Sequence, residues 1–325
     1  PGNRYESSTP NAYGGKPYEL EAPTASTYIK VVAGVPSWRE LNVTAMFNQC
    51  MEMQHTDASK YGWSSSNAHM MKNSEWGAVA YLAASKYGTL PTINNVGSYA
   101  TWKNGESTTT GAYHNLMAGT DNFVSKKATS TTANVYGVYD MNGGSYEYTA
   151  AYLDNNNTSG GGNGLQSAAE KYKDIYAVSD EEKNNKIVDT VLNDKSTITQ
   201  GVLWGKTNTY NSVRKGLTKA SYDLMKNKKG DGIYETIEEG NYSYYGSNSA
   251  SAASNSWIKN KGDTESISSN WDNDYSLLGH ASLPYFLRGG SFTYGSAAGV
   301  FDVYAYYGGA TGYYGFRPVL SGPSL

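Results

Sequence analysis

The stretch from Arg288 to Leu320, RGGSFTYGSAAGVFDVYAYYGGATGYYGFRPVL, constrains this chain more than any other. Seven of the 30 tyrosines fall between Tyr285 and Tyr314, four of them as the adjacent pairs Tyr306-Tyr307 and Tyr313-Tyr314. Between Ser291 and Gly315 there is no Lys, Arg, Glu, Gln, Met or Trp. An ordinary surface segment carries some of these, because long charged side chains cover apolar surface while keeping their heads in water. Tyr mixed with Gly, Ser and Ala is the composition of a paratope, in which a large amphipathic ring is ordered at the cost of two torsions. The other reading is a Gly-rich β-core packed by buried tyrosines. Neighbours on a strand point to opposite faces, so only one Tyr of each pair can lie inside, which favours a binding surface. The edges differ in kind: Arg288-Gly289-Gly290 before and Gly315-Phe316-Arg317-Pro318 after have the character of fixed scaffold around a permissive middle.

The rest of the composition excludes several function classes. A chain of 325 residues is long enough for a substantial core in one large domain or two. The formal charge of −3 and pI near 5.9 provide no basic footprint for nucleic acid and no polybasic membrane patch. A single cysteine, Cys50, rules out an internal disulfide and a cysteine-rich metal site. The longest apolar run, Gly77 to Ala84, is too short to enter a bilayer as a span. Pro1 is not a natural start, so the chain reads as a fragment lacking its native N-terminus. The abundance of Gly, Asn, Ser, Thr and Tyr suits a loop-rich domain of mixed structure.

Taken in order, residues 1–28 read as a linker or N-terminal extension entering a first strand at Thr27 to Ala33. Ser37 with Glu40 forms a capping-box pattern, and Thr44 is an alternative helix start, with Phe47, Cys50 and Met51 at helical spacing after it. A helix is expected from Thr44 to Met53, with Cys50 as a small buried apolar residue. The region His55 to Met71 reads as polar loop. A stronger helix follows from Ser74 to Tyr87, capped by Asn73 or Ser74 and ended by Gly88, with Glu75 complementing its dipole. Trp76, Val79, Ala80, Ala83 and Tyr87 share its apolar face. Leu90 to Ser130 is turn-rich, and Asn134 to Ala151 reads as short strands about an Asn142-Gly143-Gly144 turn. From about 152 to 281 the sequence reads as an excursion, with helical pieces at Leu165 to Tyr176 and Ser179 to Leu192 and Ser/Asn/Gly runs after them.

Three blocks in this order carry a resemblance: Asn73-Ser-Glu-Trp-Gly-Ala-Val-Ala-Tyr-Leu82, Gly137-Val-Tyr-Asp-Met-Asn-Gly-Gly-Ser-Tyr-Glu-Tyr148, and Leu287-Arg-Gly-Gly-Ser-Phe292 with Gly315-Phe-Arg317. Together they resemble domains of the formylglycine-generating-enzyme type. The resemblance covers about 31–148 and 283–320. It implies an α+β domain with a C-type lectin fold, in which two helices flank a twisted antiparallel sheet with much irregular loop. On that reading residues 29–325 form the domain, interrupted at 152–281. It also implies scaffold roles for Trp76, Tyr148, Arg288, Gly289, Gly290, Gly315, Phe316 and Arg317, with the two arginines holding loops through buried hydrogen bonds.

The enzymatic members use a C-terminal cysteine pair or a three-histidine iron site. This chain has only Cys50, and His55, His69, His114 and His280 lack ligand-like spacing, so no catalytic residue and no cofactor are expected. Some relatives bind calcium beside the second block. Glu147 is retained here, but Gly144 stands where they have an oxygen ligand, so the resemblance leaves a calcium ion near Glu147 open without requiring one. The third block also resembles the variable proteins of diversity-generating retroelements, which carry a hypervariable segment between "R-G-G" and "G-F-R". Their adenine mutagenesis excludes Lys, Glu, Gln, Met and Trp, all absent from 291–314. The resemblance implies ligand contacts at Tyr294, Ala297, Asp302, Tyr304, Ala305 and Tyr306. It implies the same for Tyr307, Gly309, Thr311, Gly312, Tyr313 and Tyr314, with Gly295 and Ala298 to Phe301 as fixed scaffold. The implied partner is a protein or glycan on another cell or a host surface. The implied setting is a bacterial surface, a pilus or a phage tail. An undiversified lectin-like or structural adhesin of the same fold is the alternative, and a formylglycine-generating-type oxidase, disfavoured by the single cysteine, is the third.

Overall fold

The computed structural model describes residues 3–6, 16–18, 22–31, 37–54, 61, 67–85, 87, 131, 138–139, 141–154, 158–177, 230–231, 233, 283–291 and 298–321. The architecture is mixed α+β. Strands β1 (Asn3–Glu6), β2 (Lys16–Tyr18) and β3 (Thr27–Lys30) make an antiparallel sheet in the order β2-β1-β3. Two strands therefore lie where the composition pointed to a linker, because pairing with β3 supplies the ladder that weak local periodicity does not advertise.

Helix α1 spans Val43–Glu52. Its cap is Asn42, whose side-chain oxygen accepts the Ala45 N–H at 2.8 Å, one of the donors that a helix start leaves unsatisfied. No helix begins at Ser37, and Glu40 takes a positive φ of 64°. Cys50 is buried in the main core with Val43, Met46 and Phe47. Strand β4 (Asn67–Met70) follows within the stretch expected to be loop.

Helix α2 spans Asn73–Ala84 and is capped in a different way from the expected one. The Glu75 carboxylate accepts the Lys72 N–H at 2.9 Å, and Asp174 accepts the Ser74 N–H at 2.7 Å. Asn73 is instead the first helical residue and is buried: its amide oxygen accepts from Thr149 and its amide nitrogen donates to the Tyr176 hydroxyl. Trp76, Ala80 and Ala83 are buried as their shared face requires, while Tyr87 lies past the helix end and is 77% exposed.

The central sheet is organised on β5 (Tyr146–Asp154). After β5 come a 3-10 turn at Ser159–Gly161, the short helix α3 (Asn163–Ser167), a second 3-10 turn at Glu170–Tyr172, and β6 (Asp174–Ala177). The helix expected from Leu165 to Tyr176 is thus broken at Ala168, whose ψ is 161°, and its second half pairs with β5 in parallel. Tertiary pairing overrides local helical pattern here. Residues Asp174 to Ala177 thus lie beside the C-terminal half of β5 in the central sheet.

Strand β7 (Tyr285–Arg288) pairs antiparallel with the other side of β5, and β8 (Val303–Tyr306) pairs with β7. Strand β9 (Tyr314–Phe316) runs parallel to β5 at Tyr146–Tyr148. The last strand, β10 (Pro318–Ser321), pairs with β4. Leu90 to Ser130, Ser179 to Leu192, His55, His114, His280 and Gly295 lie outside the described residues.

Candidate functional site

Strand β8 alternates between two environments. Val303 and Ala305 face the core, while Tyr304 and Tyr306 are half-buried on the other face. The rings of Tyr304 and Tyr306 lie 6.4 Å apart, Tyr306 and Tyr307 4.4 Å apart, and Tyr304 rests 5.1 Å from buried Tyr146. Past β8 the chain turns through Gly308–Gly312 and presents Tyr307 (38% exposed) and Tyr313 (54%) to solvent. Tyr314 turns inward, edge-on to Tyr146, Tyr148 and Tyr306.

The turn is tied down through its carbonyls. Val43 N–H donates to Gly308 O at 3.0 Å and Glu40 N–H to Thr311 O at 2.9 Å. The buried Tyr148 hydroxyl donates to Gly309 O at 3.1 Å, and the Arg39 guanidinium donates to Gly312 O. Every residue type has a backbone carbonyl, so these ties do not specify the side chains of the turn. Gly308 is the exception, with a φ of 93° and the Tyr285 ring 2.8 Å from where a Cβ would sit. Burial pushes the Tyr148 hydroxyl well above its ordinary pKa. Burial and the Tyr307 and Tyr304 hydroxyls push Tyr306 up to about 12.

Two arginines fix the scaffold on either side. Arg288, fully buried, donates from Nε to Asp302 O and from Nη1 to Asp231 O, both at 2.9 Å. Arg317 makes a two-pronged pair with Glu147, Nε to Oε2 at 2.9 Å and Nη2 to Oε1 at 2.7 Å. Both guanidinium groups lie 5.8 Å from the Trp76 ring, whose Nε1 donates to Val300 O at 2.7 Å. Tyr148 and Phe316 are fully buried, Gly289 and Gly290 take φ of 87° and 74°, and Gly315 pairs opposite Glu147.

The twelve positions assigned to ligand contact separate into three sets. Tyr304, Tyr306, Thr311 and Gly312 are half-buried, and Tyr307 and Tyr313 are exposed. Asp302, Ala305, Gly309 and Tyr314 are buried. Ala305 is on the inward side of β8, Gly309 is held under the Tyr148 hydroxyl, Tyr314 is core, and Asp302 lies in the field of Arg288. Tyr294 and Ala297 lie outside the described residues. Sequence reasoning missed Arg39, Glu40 and Val43, which hold the turn from 270 positions away in the chain or so. It also missed Gly160, which packs against the Tyr307 carbonyl. The run Ser159-Gly-Gly-Gly162 was the available signal, since consecutive glycines permit close backbone approach.

Among the described residues no group of three or more His, Cys, Asp and Glu is placed to hold a metal ion. Glu147 turns both carboxylate oxygens to Arg317. No described helix is long and apolar enough to cross a membrane. No known family model matches the chain, and no curated protein is significantly similar to it.

Proposed function

We propose that this chain is a ligand-binding display protein, a receptor or adhesin on a C-type lectin fold of the formylglycine-generating-enzyme type, whose segment 291–314 is diversified by a retroelement through adenine mutagenesis. The observation that supports it best is the tethering of Gly308, Gly309, Thr311 and Gly312 by their carbonyls while Tyr307 and Tyr313 are exposed to solvent. A loop held through its backbone keeps its shape when its side chains change, and pre-ordering reduces the entropy lost on binding. The tyrosines supply buried area and hydroxyls in one neutral, aromatic face. The contacts are assigned to Tyr304, Tyr306, Tyr307, Thr311, Gly312 and Tyr313, the partner to a protein or glycan on another cell or host surface, and the setting to a bacterial surface, pilus or phage tail. No catalytic role is proposed.

The second reading, a fixed lectin-like adhesin, is favoured by the four buried positions Asp302, Ala305, Gly309 and Tyr314, which a freely varied segment would place under structural constraint. Sequencing the surrounding locus separates the two. The proposal expects a reverse-transcriptase gene and a repeat of the 291–314 coding region that differs only at adenines. A locus with neither refutes diversification and leaves the fixed adhesin.

A further inference from the structure

Asp231 lies in the middle of the long connection between β6 and β7, yet it is almost completely buried, as is Ile233. It is held from two strands and by its own neighbour in the chain. Its carbonyl accepts from Arg288 of β7 at 2.9 Å. Its Oδ2 accepts the Tyr176 hydroxyl of β6 at 2.6 Å, and its Oδ1 accepts the Ile233 N–H at 2.7 Å. Tyr176 in turn receives the Asn73 amide from the first turn of α2 and stacks 4.8 Å from Phe286. Helix α2 makes room for the visitor at Gly77: a Cβ there would lie 2.3 Å from Gly230 O and 2.5 Å from the Asp231 Cα. Gly77 is thus a missing side chain where another backbone passes.

From Asp231 the contacts continue toward the tyrosine face. Arg288 gives its second prong, Nε, to Asp302 O, immediately before β8. In the ladder Arg288 stands opposite Val303, Leu287 opposite Tyr304 and Tyr285 opposite Tyr306. We propose that Gly230, Asp231 and Ile233 form an internal clasp that positions the binding face: Asp231 fixes Arg288, Arg288 fixes the entry to β8, and β8 carries Tyr304 and Tyr306. Gly230, Asp231 and Ile233 therefore support the proposed site from behind the sheet. A buried guanidinium deprived of one acceptor is costly to leave unpaired, so losing the clasp shifts Arg288 and releases the Asp302 carbonyl with it. The functional consequence rests on the binding reading above, but the clasp does not.

The test is hydrogen exchange read by mass spectrometry on the full chain, with the α1 amides as internal reference. Three variants attack the clasp from different sides: Gly77→Ala excludes it sterically, Asp231→Ala removes its carboxylate, and Tyr176→Phe removes a single hydroxyl. The expected result is exchange about tenfold faster at residues 302–306 in Gly77→Ala and Asp231→Ala, a smaller increase in Tyr176→Phe, and α1 unchanged, as local opening predicts. Unchanged protection at 302–306 in the folded variants overturns the clasp. So does an equal acceleration of α1 and β8, which would make Asp231 a contributor to global stability alone. If the first two variants do not fold, Tyr176→Phe decides by the same criterion. Because the readout needs no ligand, a failed binding reading and a failed clasp give separate signatures.

Discussion

Removing Arg317 from its pair with Glu147 has a cost that follows from the geometry. The two hydrogen bonds are 2.9 and 2.7 Å, and the side chains are only 11% and 1% exposed. Glu147 sits in the middle of the central sheet, with Arg288 opposite on one side and Gly315 on the other. An Arg317→Met substitution keeps the packing on Trp76 but leaves a carboxylate buried without its principal partner. Breaking such a pair from one side costs about 3–5 kcal/mol. At roughly 2–4 °C per kcal/mol for a domain of a few hundred residues, Tm should fall on the order of 10 °C. Removing the charge as well, in Glu147→Gln/Arg317→Met, should recover more than half of that loss, because no ion is then stranded. Arg317→Lys should be intermediate, since an ammonium cannot reproduce the planar two-pronged contact. Thermal and urea unfolding followed by circular dichroism gives the full cycle. An Arg317→Met protein within about 1 kcal/mol of the parent, or a double variant no better than the single, would refute the reasoning.

Other outcomes follow from single contacts. At Glu75, burial alone would raise the pKa, but the hydrogen bonds from His69 and the Lys72 N–H outweigh it and bring the carboxyl below its ordinary 4.5. Its stabilising contribution is therefore complete above pH 4.5 and lost as pH falls through the lowered value, so the Tm gap between parent and Glu75→Gln should narrow in acid. Gly308→Ala should lower the urea midpoint by an amount equivalent to about 1–3 kcal/mol, because of its φ of 93°. Gly312→Ala, with no atom within 4 Å of the added Cβ, should be near neutral. Tyr148→Phe removes the hydroxyl from Gly309 O and should cost about 1–2 kcal/mol by the same assay, whereas Tyr313→Ala should stay within about 0.5 kcal/mol.

The sequence disclosed the parts of the fold that local chemistry dictates. The α1 and α2 patterns, the buried faces of Trp76 and Ala80, and the strand after Asn142-Gly143-Gly144 are all written in short-range spacing. What it concealed depends on partners far away in the chain. Asp174 and not Asn73 satisfies the Ser74 N–H, β6 forms because β5 is beside it, and Asp231 is drawn into the core by Arg288 and Tyr176. The tyrosine face was legible in composition but not residue by residue. Tyr313, in the turn, is exposed, while Tyr314, the first residue of β9, is buried. Strand alternation places Ala305 inward between Tyr304 and Tyr306, whereas Asp302, just before β8, has no such local sign.

The central claim is that the 304–313 face keeps its backbone while its side chains are free to change. The direct measurement is a display library randomised at Tyr304, Tyr306, Tyr307, Thr311 and Tyr313, scored for resistance to protease against an equal library at Asp302, Ala305, Gly309 and Tyr314. The account predicts that most members of the first library resist protease as well as the parent does, and that most members of the second do not. A first library that is cleaved as readily as the second would contradict it.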